Sequence, residues 1–170
     1  VDLPQLIDRK SASTTLRFTN ELHTLRSELP TVHYRFTSGG KVHLEGTTPT
    51  DSIIELAPRL ASLPSGRYEL DYTIKYCDSL SYVGQMALYL FDTRDSKVSD
   101  LRAPLLLSAG DGKYGAGKKP VVYYATSLPD AYIYYSVYSQ RGSIASGVLR
   151  PKAGALCTTP LDISKEPNEP

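Results

Sequence analysis

Residues 67–76 (RYELDYTIKY) alternate without a break, with Tyr68, Leu70, Tyr72, Ile74 and Tyr76 on one side and Arg67, Glu69, Asp71, Thr73 and Lys75 on the other. A period of two sustained this long predicts a strand with one buried and one solvated face, the habit of an antiparallel sheet. Turn residues 63–66 (LPSG) precede it. Residues 82–91 (YVGQMALYLF) are mostly apolar on both sides and predict a central strand. Four further runs rich in strand formers follow, LRAPLLLSA, PVVYYATS, AYIYYSVYS and SGVLRPKA, each bounded by glycine, proline or aspartate. Their spacing leaves little room for crossover helices and argues against a parallel α/β sheet.

Residues 32–46 (VHYRFTSGGKVHLEG) predict a hairpin. A slip of one residue would reverse every side chain, so its register can be argued. With a three-residue loop at Ser38, Gly39 and Gly40, Phe36 faces Val42 and Tyr34 faces Leu44. Arg35 then meets His43 and His33 meets Glu45 on the other face, while the glycines supply positive φ. Helix is scarce. Residues 20–29 (NELHTLRSEL) offer an N-capping asparagine, leucines at 22, 25 and 29 and a following Pro30, which predict a short amphipathic helix. In residues 53–63, Pro58 denies a donor to any continuous helix, so a short strand or turn is expected, then about one helical turn opening at Pro58. The reading is a mainly β, antiparallel, sandwich-like single domain over residues 13–155 with one or two short helices. Residues 1–12 read as a linker arm and 156–170 as a proline-bearing C-terminal tail running over the surface.

Composition narrows the chemistry. The 170 residues include 19 lysines and arginines against 18 aspartates and glutamates, which lacks the broad basic footprint of a nucleic-acid binder; no nucleic-acid partner is expected. Cys77 and Cys157 stand far apart, which excludes a cysteine-only zinc site and leaves open one long-range disulfide or two free thiols. The opening VDLPQLIDRK carries charge and proline where a signal peptide needs an apolar run, and no stretch approaches a spanning helix. The 13 tyrosines, beside 3 phenylalanines and no tryptophan, give most large side chains an apolar body and a polar tip. That suits half-buried strands and wet recognition surfaces. Tyr132, Tyr134, Tyr135 and Tyr138, with Tyr123 and Tyr124, could form a stacking platform for sugar or a protein partner; alternation sends Tyr132 and Tyr134 to one face and Tyr135 to the other, so some of them pack the core.

Motifs for catalysis fail or stay incomplete. Residues 112–118 (GKYGAGK) match part of a phosphate-binding loop, yet Lys119 stands where a serine or threonine would hold magnesium. Pro120 and VVYYA then open a strand where the motif demands a helix. No cofactor and no metal site is expected, because His33 and Glu45 lack a third ligand. The loop is better read as a mobile exposed tip whose Lys113, Lys118 and Lys119 could touch an acidic glycan or a phosphorylated surface. For acyl chemistry the histidines are His23, His33 and His43; a base at His33, oriented by Asp51 with Ser52 or Ser38 as nucleophile, is the best set available. His23 is expected on the exposed side of its helix.

The strand-rich domain, the arm-like VDLPQLIDRK and the ending ISKEPNEP together resemble the C-terminal protruding domain of an iflavirus capsid protein. The resemblance implies a module on the virion surface, joined through its first ten residues to a capsid jelly roll of the same polypeptide. It further implies a role in attachment to a host cell-surface receptor or glycan or in entry, with membrane contact during entry. An Asp-His-Ser group has been proposed for such domains; here no histidine directly precedes a serine, so His33, Asp51 and Ser52 are chosen from this sequence alone. The sequence favours an attachment module over its two competitors, a hydrolase acting on lipid or glycan esters and a lectin-like sandwich stacking sugars on Tyr132 and Tyr134.

Overall fold

A computed structural model describes residues 1–19, 29–109, 119–139 and 142–161. The helix expected over residues 20–29 lies, apart from Leu29, outside them, as do most of the glycine–lysine loop and residues 162–170. The described chain is mainly β with antiparallel sheets, as the alternation required. In place of one domain over 13–155 there are two compact units, Val1–Asp92 and Thr93–Pro170. Among the described residues, no sheet takes strands from both.

The first unit is built on β1 (Leu6–Asp8), β2 (Thr15–Arg17), β3 (Thr31–Ser38), β4 (Lys41–Pro49), β5 (Ile53–Glu55), helix α1 (Ala57–Leu60), β6 (Gly66–Cys77) and β7 (Leu80–Phe91). Five strands form one sheet in the order β1-β7-β6-β3-β4, while β2 and β5 pair separately. The alternation of β6 is realised: Tyr68, Leu70 and Ile74 are buried, and Tyr72 and Tyr76 pack against the same core. Val32, Tyr34 and Phe36 of β3 continue that apolar face, and Leu16 of β2 and Phe18 just after it, with Leu56 and Leu60 around α1, cover it. Pro58 stands in the first turn of α1, where its missing N–H costs no helical bond.

Residues 1–12 are not a free arm. Leu6 and Ile7 are 0% and 2% exposed, and β1 runs parallel to β7, with Leu6 opposite Tyr89. The sheet is the place where Leu3 and Ile7 can leave water, and a strand of three residues carries too little period to announce itself. β7 is central only at its end; its first half is exposed, with Val83 at 71%.

The β3–β4 register differs from expectation. Gly39 and Gly40 both adopt positive φ, 57° and 76°, so a two-residue turn closes the hairpin with Ser38 opposite Lys41. Strict pairing from that turn would set Phe36 against His43. A bulge at His43 corrects it: Phe36 faces Leu44, Tyr34 faces Gly46, Arg35 faces Glu45 and His33 faces Thr47. The bulged His43 ring meets Tyr68 edge-on at 5.3 Å. His33 and Arg35 are exposed, as the alternation predicts.

The second unit holds β8 (Leu106–Ser108), β9 (Val121–Ala125), β10 (Ile133–Ser139), β11 (Gly142–Leu149) and β12 (Cys157–Pro160). Its sheet runs β12-β9-β8, and β10 with β11 forms a two-stranded ribbon. Part of the expected tail is thus a strand, with Cys157 opposite Tyr124. The two cysteines are free thiols, and burial pushes the Cys157 thiol up.

Three hairpins share one contact. Tyr34, Tyr72 and Tyr135 each lie across the strand from a glycine, at Gly46, Gly84 and Gly147, and each ring fills the space a Cβ there would need. Gly46→Val is expected to destabilise the fold by about 1–3 kcal/mol through overpacking. In the Tyr34→Ala background the same change should cost clearly less, a coupling that a double-mutant cycle by denaturant titration measures. Burial foremost also raises the Tyr68 and Tyr72 phenols above their ordinary 10.0, Tyr72 with help from Tyr82 and Tyr68 against a lowering by Arg9. The unfolded chain therefore loses these protons first, and stability falls as pH rises beyond about 10. Melting temperatures should decline there, and more shallowly in Tyr72→Phe.

Candidate functional site

The residues chosen for hydrolysis are held apart. His33 stands on the solvated face of the first sheet, with its Nδ1 2.9 Å from the Thr47 hydroxyl. Asp51 follows β4 in a left-handed turn (φ 64°); its N–H donates to the Phe18 carbonyl and its carboxylate lies 3.6 Å from Arg17. Phe18 belongs to the layer covering the apolar face, so Asp51 is tied to the side of the sheet opposite His33. Ser52 stays with Asp51. Ser38 closes the far end of β3, roughly 16 Å along the strand from His33, and donates its hydroxyl to the Arg67 carbonyl. A base must reach its nucleophile at about 2.6–3.2 Å, and none of these pairs does.

The solvated face does form a shallow groove of about 580 Å³, lined by His33, Arg35, Glu45, Thr47, Asp71, Thr73 and Val83. The register explains it. Arg35 stands between Glu45 on β4 and Asp71 on β6, and His33 between Thr47 and Thr73. Gln85 donates to Asp71 at 3.0 Å and to Glu69 at 3.3 Å, which steadies the acidic side. The shift that puts Glu45 opposite Arg35 also removes it from His33. Among the described residues no three His, Cys, Asp or Glu side chains are grouped to hold a metal ion.

The tyrosines behave differently. Along residues 131–138 exposure alternates strictly, leaving Tyr132, Tyr134 and Tyr138 open at 55%, 78% and 70%. Tyr135 turns to the other face and covers Gly147, while Tyr124 is buried in the neighbouring sheet. Val148, opposite Tyr134, extends the open face. At its end the Arg150 guanidinium lies 4.6 Å from the centroid of the Tyr132 ring, a cation–π contact. A cleft of about 430 Å³ opens beside it, between residues 129–132 and 150–153, carrying Asp130, Arg150 and Lys152.

Of the expected binding residues, Tyr132 and Tyr134 therefore share one accessible face. Lys119 is exposed just before β9, and Lys113 and Lys118 lie outside the described residues. Arg150 and Lys152 were missed by reading AYIYYSVYS and SGVLRPKA as separate strands. A signal for joining them exists: Tyr135 precedes Gly147 by twelve residues, as Tyr34 precedes Gly46, and that register brings residue 150 beside residue 132. Comparison with protein-family models, curated proteins and solved structures finds no match.

The separated His33, Asp51 and Ser52 lead to a concrete expectation. Ester hydrolysis by the purified chain should stay at buffer background, and His33→Ala and Asp51→Asn variants of matched folding should give the same rate. Turnover above background in the parent, lost in both variants, would reverse that assignment.

Proposed function

We propose that the chain is an attachment module displayed on a virion surface, recognising an acidic saccharide of the host cell through the open face of β10 and β11. The placement on a virion rests on the sequence resemblance to protruding domains of iflavirus capsid proteins. The observation that carries the binding role is the exposure of Tyr132, Tyr134 and Tyr138 on a single face, ending in the Arg150 cation–π contact.

Aromatic faces offer an apolar platform with a polar rim, which suits the mixed surface of a sugar ring. Residues two apart on a strand lie about 6.6–6.8 Å apart, so Tyr132 and Tyr134 present adjacent platforms. Arg150 and Lys152 against the lone carboxylate of Asp130 give the adjoining cleft a net positive character. A carboxylated or sulfated saccharide fits that charge, because arginine binds such groups in bidentate fashion. Holding the guanidinium over Tyr132 lowers the conformational entropy it would lose on binding.

The test is binding of sulfated and carboxylated oligosaccharides to the full chain, followed by calorimetry or surface resonance. Tyr134→Ala and Arg150→Ala should each weaken binding by about three- to tenfold, in line with an aromatic contact of about 0.5–1.5 kcal/mol. Raising salt from about 0.05 to 0.5 M should weaken it further. Equal affinity in all variants, or no binding by the parent, would overturn the proposal.

A further inference from the structure

The open face of β10 and β11 carries its charge at one end. Opposite residues of the ribbon share a face, so Tyr134 lies beside Val148 and Ser136 beside Ser146, and all four are exposed. Tyr138 lies beyond them, and none of the five is charged. At the other end the same register sets Arg150 against the Tyr132 ring, with Lys152 and Asp130 in the adjoining cleft of about 430 Å³. Among the described residues of this face, ionised groups stand only there. From Tyr132 to Tyr138 the extended chain covers roughly 20 Å, room for several sugar rings in a row. Arg150 and Lys152 can only donate hydrogen bonds, whereas the Asp130 carboxylate can only accept them. Two cations against one carboxylate leave the cleft one positive charge to be matched.

We infer that this face takes a neutral oligosaccharide capped by a single carboxylated sugar and discriminates against saccharides charged on every ring, an inference that rests on the saccharide-binding reading above and names the class of ligand. The acid of the cap lies between Arg150 and Lys152, and hydroxyls beside that acid donate to Asp130. A second carboxylate or a sulfate ester in the cleft would bring acceptors alone and would meet Asp130 as a like charge. The neutral rings run from Tyr132 over Tyr134 toward Tyr138, where the hydroxyls of Ser136 and Ser146 both donate and accept between the aromatic platforms. A chain charged on every ring would set its remaining carboxylates over this stretch, where they would lose water against the tyrosines without gaining a cation among the described residues.

Calorimetry on the full chain compares three probes of equal length: two neutral hexoses capped by sialic acid, a neutral trihexose, and trigalacturonate with its carboxylate on every ring. The capped probe should bind at least about tenfold tighter than either of the others, in line with hydrogen bonds to charged groups. Asp130 sits in a left-handed turn (φ 54°), a conformation that asparagine also tolerates, so Asp130→Asn keeps the fold. That variant should strengthen trigalacturonate by about three- to tenfold, without strengthening the capped probe, by removing the like charge. Lys113, Lys118 and Arg141 lie outside the described residues, and replacing all three by alanine should leave the capped probe within about twofold of its parent affinity. Trigalacturonate binding as tightly as the capped probe, and weakened by Tyr134→Ala and Arg150→Ala, would overturn the inference and leave the acidic-saccharide reading standing. A selectivity unchanged in Asp130→Asn, or lost in the triple alanine variant, would also overturn it, because the acid would then be read elsewhere. Absence of binding to every acidic saccharide, sulfated ones included, would overturn the underlying reading as well.

Discussion

A tyrosine ring lying over a glycine on the next strand fixes the register of three hairpins, at Tyr34 and Gly46, Tyr72 and Gly84, and Tyr135 and Gly147. The contact is specific because any side chain at the glycine would occupy the space of the ring. A one-residue slip would place Glu45 or Thr47 under Tyr34 and turn the apolar set of β4 to water. The pairing of these strands therefore determines which residues form the core of the first unit, which line its groove, and which tyrosines of the ribbon stay in solvent.

The β3–β4 and β10–β11 hairpins go further and share a construction. The spacing of twelve from tyrosine to glycine is common to all three, and in these two a bulge leaves one residue of the second strand unpaired, His43 in one and Ile144 in the other. In β3–β4 the extra residue lets Leu44, in place of His43, face Phe36. The outcomes differ because of what lies behind each hairpin. The first adds its apolar face to a sheet of five strands, under a layer that includes Leu16, Phe18, Leu56 and Leu60. The second is a ribbon of two strands, and Tyr132, Tyr134 and Tyr138 on its outer side have no covering layer among the described residues.

The polar faces follow the same logic. Arg35 and His33 are exposed because Val32, Tyr34 and Phe36 are buried, so a groove of mixed charge is a consequence of the core. Its residues are ordered in rows across the strands, Glu45–Arg35–Asp71 and Thr47–His33–Thr73. Neither row contains a carboxylate beside the histidine, which is why the face offers hydrogen bonding without an acid–base pair. The ribbon face offers aromatic surface beside a cationic cleft, a different chemistry produced by the same alternation.

The sequence by itself determined the strands with long periods. The alternation at residues 67–76 gave β6 and its buried face, Pro58 gave the single helical turn, and the glycines marked where the β3–β4 loop falls but not its two-residue length. It also separated Tyr132 and Tyr134 from Tyr135, because period two is a local property of extended backbone. What it could not determine was decided by contacts between distant residues. Leu6 and Ile7 became a strand only because β7 was there to pair with, and residues 157–160 only because β9 was. The bulge at His43 followed from matching Phe36 to Leu44, and with it Glu45 moved from His33 to Arg35. The separation of His33 from Asp51 was likewise tertiary: the backbone of Asp51 bonds to Phe18, thirty-three positions earlier, and that bond draws it to the far side of the sheet. Short strands, bulges and sites are stabilised by partners that local pattern does not contain, which is why they appear only once the chain has packed.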